Sequence, residues 1–243
     1  MNSVFQLNPA LDAQTLAHNF ASMRAVSITE FLSVGSAQIL AAALAESNDW
    51  RWVINAGDNV YDLGQETRYK MSEEQHRELD RRISEAARDG FQFRFSSIRV
   101  PDTLDQRAPD KDPLHEFAEF MRSDAVLELL SSITEQHDIC FADAQATAYH
   151  HGDFLTGHDD DVQGKNRKIA YVLGLTPQWR AEWGGLLQFH HSDGRISAII
   201  PQFNCLNLFA VPQTHSVSQV ASFAGRVRYS VTGWLRSAMP DGN

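Results

Sequence analysis

His158 and Asp160 stand two residues apart, and His215 and Arg228 follow well downstream. Two imidazoles and one carboxylate leave half the positions around a non-haem Fe(II) open, enough for a cosubstrate and O2 together. At an extended strand end the side chains of residues i and i+2 point the same way, so His158 and Asp160 form a local chelating arm. By the same parity Asp159 and Asp161 face away, as solvated groups or as supports to the site. The third ligand must come from a distant strand, and His215 sits in such a segment, VPQTHSVSQV, after a proline-containing turn. A dicarboxylate cosubstrate then needs an anchor. Arg228 suits that role because guanidinium holds a carboxylate in a bidentate, charge-assisted pair, and Ser230, on the same face, can donate to the same group. Arg226 shares that face and is the alternative anchor. Tyr149, shortly before His158, offers a hydroxyl from the preceding strand. In the pairs His150–His151 and His190–His191 neighbouring side chains alternate, so at most one of each faces inward, in a structural or substrate-contact role. Trp234 and Tyr171 read as core aromatics.

The elements that must position these groups differ between the two parts of the chain. Before about residue 138 the pattern is rich in helices. Leu11, Leu16 and Phe20 give one apolar face to a helix over about 11–23, and SAQILAAALAES predicts a second over 36–47 with Ser36 as its N-cap. A charged helix over about 72–88 reads as a solvated face with i,i+4 pairs. WRWVI (50–54) and FQFRFSSIRV (91–100) alternate apolar and polar residues as half-buried strands do. PDTLDQRAPDKDP (101–113) reads as a loop and a candidate lid. From about residue 139 short apolar runs alternate with turn signals: ATAYH, KIAYVLGL, GGLLQFH, ISAIIP, CLNLFAV, SVSQVASF and RVRYSVTGWL. That pattern predicts an antiparallel jelly roll. The expected architecture is one α+β body over 1–243: a helix-rich supporting part (1–137) packed on one sheet of a jelly-roll catalytic core (138–237).

YHHGDFLTGHDDD, NRKIAYVLGLTPQW, EWGGLLQFH, FNCLNLFAV, THSVSQV and RVRYSVTGWL, taken in order, resemble the blocks of the Fe(II)- and 2-oxoglutarate-dependent dioxygenases of the prolyl hydroxylase type. Within that family H-D-D-D, R-K-I-A-Y and W-G-G-L-L look most like the branch of the ribosomal-protein prolyl hydroxylases. The resemblance implies a double-stranded β-helix core. It also implies Fe(II), 2-oxoglutarate as cosubstrate and O2, with ascorbate as an optional addition. His158, Asp160 and His215 would be the iron ligands, Arg228 the anchor of the C5 carboxylate, and Tyr149 a cosubstrate contact. Trp183, Gly184 and Gly185 would make a tight turn beside the site. The implied activity is hydroxylation of a prolyl residue in a protein or peptide, with release of succinate and CO2. Many relatives carry a tyrosine where this chain has Gly174; its loss would open space in the pocket and leave its hydrogen bond to Thr176 or a water.

Bulk properties bound the alternatives. A net charge of −10 and a pI near 5.4 without a Lys/Arg cluster argue against direct nucleic-acid binding and are compatible with a basic protein or peptide substrate. Cys140 and Cys205, each in an apolar run, read as buried thiols. The start of the chain has neither a basic nor an apolar leader pattern, and no apolar run approaches a membrane span, so a soluble cytoplasmic protein is expected. Two rival functions share this sequence: a small-molecule 2-oxoglutarate oxygenase, and a non-catalytic jelly-roll module that only binds 2-oxoglutarate. Oligomeric state is not encoded in any motif.

Overall fold

In the computed structural model, which describes residues 4–103 and 112–239, the first helix starts where Asp12 accepts the N–H groups of Gln14 and Thr15. That helix, α1 (Ala13–Met23), ends at Arg24 in the left-handed conformation. Next come β1 (Ala25–Thr29), α2 (Val34–Glu46), β2 (Arg51–Ala56), β3 (Asn59–Gly64), α3 (Gln65–Lys70), α4 (Glu73–Asp89) and β4 (Phe93–Arg99). Two more helices, α5 (Pro113–Met121) and α6 (Asp124–Thr134), precede β5 (Phe141–Ala142), β6 (Gln145–Tyr149), β7 (Phe154–His158) and β8 (Arg167–Gly174). The chain finishes with β9 (Leu187–His190), β10 (Ile196–Ile199), β11 (Cys205–Ala210), β12 (His215–Val217) and β13 (Arg228–Arg236).

These strands pair antiparallel along one path, β1-β11-β8-β13-β6-β4-β7-β12-β9-β10, with β2 and β3 added beside β4 and β5 beside β13. The sheet curls, because one cavity is lined from β4, β6, β7, β8, β9, β11, β12 and β13 together. This is the curled antiparallel jelly roll with helices that the strand pattern predicts. The expected boundary near residue 138 does not divide the sheet: β1 pairs with β11, and β4 lies between β6 and β7.

Period-two alternation sorts each strand between helices and cavity. Along β6, Gln145, Thr147 and Tyr149 line the cavity, while Ala146 and Ala148 join the core beneath the helices. Along β13, Arg228, Thr232 and Trp234 line the cavity, while Tyr229, Val231 and Leu235 pack toward α1, α2, α5 and α6. Small alanines on β6 let those helices approach closely, and Leu40, Phe117, Met121, Leu130 and Ile133 fill the layer at no more than 0% exposure each. Helix α4 is separate. Only Ile83 of α4 is buried, against Trp52 and Ile54, and its outer face carries Arg81 and Arg82 paired to Glu78.

Several expectations change. Helix α2 starts earlier than predicted, capped by Ser33, because the Ser36 hydroxyl instead donates to Val4 O and accepts from Gln6 N. Only His215–Val217 of the SVSQVASF region is strand. Cys140 is exposed and only Cys205 is buried. Residues 104–111 of the expected loop and lid lie outside the described residues. Among the described residues no helix is long and apolar enough to cross a membrane.

Gly174 also differs from expectation. A Cβ there would sit 2.2 Å from the carbonyl oxygen of Gln202, so backbone fills the position and no pocket space opens. Thr176 takes no cosubstrate role either, since its hydroxyl accepts from Tyr229 N at 2.6 Å and faces the carbonyls of Val227 and Tyr229. Gly174→Ala should therefore lower stability by about 1–3 kcal/mol through forced backbone movement, and Gly174→Tyr by more. Urea denaturation midpoints check this. A Gly174→Tyr protein as stable as the wild type would show that the Gln202 segment yields easily.

Candidate active site

Strand pairing brings the three ligand candidates together. His215 on β12 is the direct antiparallel partner of His158 on β7, so two residues far apart in sequence share one face. Asp160 lies just beyond the end of β7 with φ of 64°. Asp160 is the acid that meets the imidazoles, but strand parity is not the reason: the chain has left the strand, and the left-handed backbone turns this carboxylate back toward them. Aspartate tolerates that conformation better than most residues. Asp159 and Asp161 remain exposed at the rim.

His158 Nε2 lies 3.4 Å from Asp160 Oδ1, and His215 Nε2 lies 3.4 Å from Asp160 Oδ2. The three ligand atoms are all within 4.8 Å of one another. Bonds of about 2.1 Å to one ion put neighbouring donors about 3 Å apart, so the trio fits a single metal. Both ring orientations are fixed from behind. His158 Nδ1 faces Thr156 O at 3.1 Å and His215 Nδ1 faces Gln213 O at 2.7 Å, which places the proton on Nδ1 and turns the Nε2 lone pair inward. Burial, with His158 adding to it, lowers the His215 pKa to about 4, so its ring is neutral at neutral pH. Burial pushes the Asp160 carboxyl up, but the flanking imidazoles pull it down further, and its net shift is downward. An ionised acid between two imidazoles whose Nε2 lone pairs point inward is a donor set that suits Fe(II).

The triad opens on a cavity of about 370 Å³. Its walls are mostly apolar, among them Leu155, Leu187, Phe209 and Val217. Arg228 lines it too, and is 4% exposed. Its guanidinium lies 5.0 Å from the centre of the Tyr149 ring, Nη1 donates to Ser230 Oγ at 3.4 Å, and the buried Nε has no partner. No carboxylate pairs with it among the described residues, and burial lowers its pKa from the ordinary arginine value. Ser230 does not line the cavity. Its hydroxyl lies 2.9 Å from Thr147 Oγ1 and accepts from Arg228, so it supports the arginine from behind. Tyr149 does line the cavity, stacked on Phe95 at 5.3 Å. Arg226 is exposed and donates to Gln178, which removes it as the anchor. Gly184 and Gly185 make the expected tight turn, both with positive φ; a Cβ on Gly185 would stand 3.0 Å from the Arg228 side chain.

The paired histidines elsewhere contribute no ligand: His151 faces Ala224 O, His190 faces Ser216 Oγ and His191 faces Ser197 Oγ. Trp234 and Tyr171, read as core aromatics, both also line the cavity. Sequence reasoning missed two features. Phe91, Phe93 and Phe95 run along one face with ring centres 5.6 and 5.4 Å apart, and Phe91 lies 5.6 Å from the His158 ring. The F-x-F-x-F spacing of FQFRF carried that signal. Arg167, stacked over Trp234 with Cζ 3.4 Å from the ring centre, carried no signal of its own.

Comparison with known proteins agrees with this geometry. Residues 144–236 match the model of the 2OG-Fe(II) oxygenase superfamily. The chain is 34% identical over 114 residues to "Prolyl 3-hydroxylase OGFOD1" of Xenopus laevis, a match covering 44% of this chain and 22% of the relative. It is 34% identical over 101 residues to the protein of the same name in Mus musculus, covering 38% and 18%. The chain thus spans only about a fifth of the length of these relatives. Among solved structures it resembles a Pseudomonas putida prolyl-4-hydroxylase, with TM-score 0.58 and 18% identity over 93% of this chain and 98% of that one. It also resembles a Trichoplax adhaerens prolyl hydroxylase in complex with a hypoxia inducible factor peptide fragment, with TM-score 0.62 and 14% identity over 93% and 89%. The His-Asp-His cluster, the buried arginine and strands β6 to β13 all lie within residues 144–236, the segment that is similar to the 2OG-Fe(II) oxygenase superfamily.

Proposed function

We propose that this chain is an Fe(II)- and 2-oxoglutarate-dependent oxygenase that hydroxylates a prolyl residue of a protein or peptide. The observation that carries the reading is Arg228: a buried guanidinium, facing the same cavity as the triad, with no acidic partner among the described residues. Burying an unpaired charge costs several kcal/mol, and an anionic ligand removes that cost. A carboxylate at Arg228 with a metal chelate at the triad is the pose of 2-oxoglutarate.

His158, Asp160 and His215 would hold the iron. Bound with 2-oxoglutarate and O2, it supplies hydroxylation of an unactivated C–H, with succinate and CO2 as co-products. The protein's own work is positional. The carbonyls of Thr156 and Gln213 keep both imidazoles aimed, while Arg228, backed by Ser230, fixes the far end of the cosubstrate. Leu155, Leu187, Phe209 and Val217 exclude water around it.

A peptide fits the mouth better than a small metabolite. The cavity reaches the surface between Phe91, 49% exposed, and Val162, 47% exposed, so its rim is an open apolar shelf. Asp159 and Asp161 stand exposed on that rim with no Lys or Arg paired to them among the described residues. Phenyl faces suit a pyrrolidine ring, and the acids suit a basic flanking residue. The names of the frog and mouse relatives and the peptide in the Trichoplax complex point the same way.

Wild-type protein with Fe(II) should convert 2-oxoglutarate to succinate and Asp160→Ala should not, while Arg228→Met should raise the cosubstrate KM about 10- to 150-fold, the worth of a charge-assisted bond. Absence of turnover by the wild type across cosubstrates would sink the oxygenase reading. Mass spectrometry of treated lysate peptides should show one added oxygen on proline, at sites with Lys or Arg nearby. Asp159→Asn with Asp161→Asn should weaken peptide capture and flatten its salt dependence. Oxidation of a free metabolite with peptides untouched would favour the small-molecule alternative.

A further inference from the structure

Arg167 begins β8, at the end of the turn that follows Asp160. Its Nη1 donates to the Asp160 backbone oxygen at 3.3 Å and lies 3.9 Å from Asp160 Oδ1. The flat face of its guanidinium lies on Trp234 of β13, with Cζ 3.4 Å from the ring centre. One rigid fork thus ties together the left-handed Asp160, the cavity wall and the start of a central strand. The intervening turn needs such a tie. Gly164 and Asn166 also take positive φ, of 81° and 51°, and Asp160 has no strand partner to hold its backbone.

We infer that Arg167 is a positioning residue that holds Asp160, rather than Asp159 or Asp161, in the conformation that ligates the metal. The inference rests on the triad's being the metal site, as proposed above. Arginine suits the task because its planar fork can stack on an aromatic ring and donate in its own plane at once. Coulomb's law sets the sign of the test. A cation this close to a divalent metal repels it, so simple removal of the charge should tighten metal binding. Weaker binding after removal can come only from lost positioning.

The experiment is anaerobic Co(II) titration of the full chain, followed by the visible absorption of the bound ion. Arg167→Met keeps an unbranched side chain against Trp234 and removes both donor and charge; Arg167→Gln removes the charge but keeps a donor for the Asp160 carbonyl. The Met variant is expected to bind Co(II) about 10- to 100-fold more weakly, the usual effect of losing a group that orients a ligand. The Gln variant should fall between it and the wild type. In an Asp160→Ala background Arg167→Met should change affinity by less than about twofold, because the coupled partner is gone. Binding equal to or tighter than the wild type's in the Met variant overturns the inference. If that variant does not fold, Arg167→Lys, which keeps the charge and loses the planar fork, takes its place, and Co(II) binding equal to the wild type's in it overturns the inference. Wild-type protein whose Co(II) binding is unaffected by Asp160→Ala would instead overturn the metal assignment itself, so the two failures are distinct.

Discussion

The pairing of His215 with His158 across β12 and β7 is the constraint from which the rest of the site follows. Side chains in a strand alternate, so a slip of one residue would turn His215 away from the cavity and bring Ser216 or Thr214 in. A strand of three residues cannot fix its own register. Strand β9 does so from the other side, pairing Leu187, Gln188 and Phe189 with Val217, Ser216 and His215. The ladder continues past the strand, as Ser218 N donates to Leu186 O and Gly185 N to Ser218 O. The Gly184–Gly185 turn therefore has two effects: it extends the register that places His215, and it leaves room for the stem of Arg228.

The way this fold treats its other buried arginines gives the lone one its meaning. Arg94 is met by Asp153, 1% exposed, with Nε to Oδ1 at 2.9 Å, and by Asp80. Arg236 is met by Asp143 at 3.0 Å. In both places a structural charge is compensated by a nearby acid, as burial demands. Among the described residues Arg228 has only a hydroxyl and the face of a tyrosine ring. A chain able to supply an aspartate twice has left this guanidinium for something that arrives from outside. The triad mirrors it, with Asp160 ionised between two nitrogens whose protons point away. One end of the cavity wants an anion and the other wants a cation.

Most of this site was legible in the sequence. His158, Asp160, His215 and Arg228 could be read from residue type and order, because metal and carboxylate chemistry narrows the choice of side chains severely. The strands of the second half were legible for a related reason: alternation there is strict, with one face on helices and the other on a cavity. What escaped depends on backbone geometry. Nothing in GHDDD says that the strand stops at His158 and that Asp160 turns left-handed, so the parity that favours Asp160 over its neighbours does not operate. Gly174 was read as a missing side chain, whereas the Gln202 carbonyl occupies its place. Ser230 shares a face with Arg228, yet it lies behind the guanidinium instead of beside it. Strand β1 and helices α5 and α6 were missed because their burial is set by partners distant in sequence, which no local window contains, and β3 because it is largely exposed and shows no buried alternation.

The aromatic file along β4 links chemistry to selection. From Phe91 at the surface beside His158, ring follows ring through Phe93 and Phe95 to Tyr149, 3% exposed, and from there to Arg228. Exposure falls along this row, so the same strand that forms an apolar shelf at the mouth also shapes the floor beside Arg228. The floor has little freedom to vary: a larger residue at Gly185 would strike Arg228, and Thr147 and Ser230 are committed to each other. The mouth is free. Asp159, Asp161 and Val162 are exposed and can change without disturbing a buried hydrogen bond. A fold divided in this way can hold its floor constant while its mouth varies, so the contacts proposed for a substrate fall on residues whose loss the core would not feel.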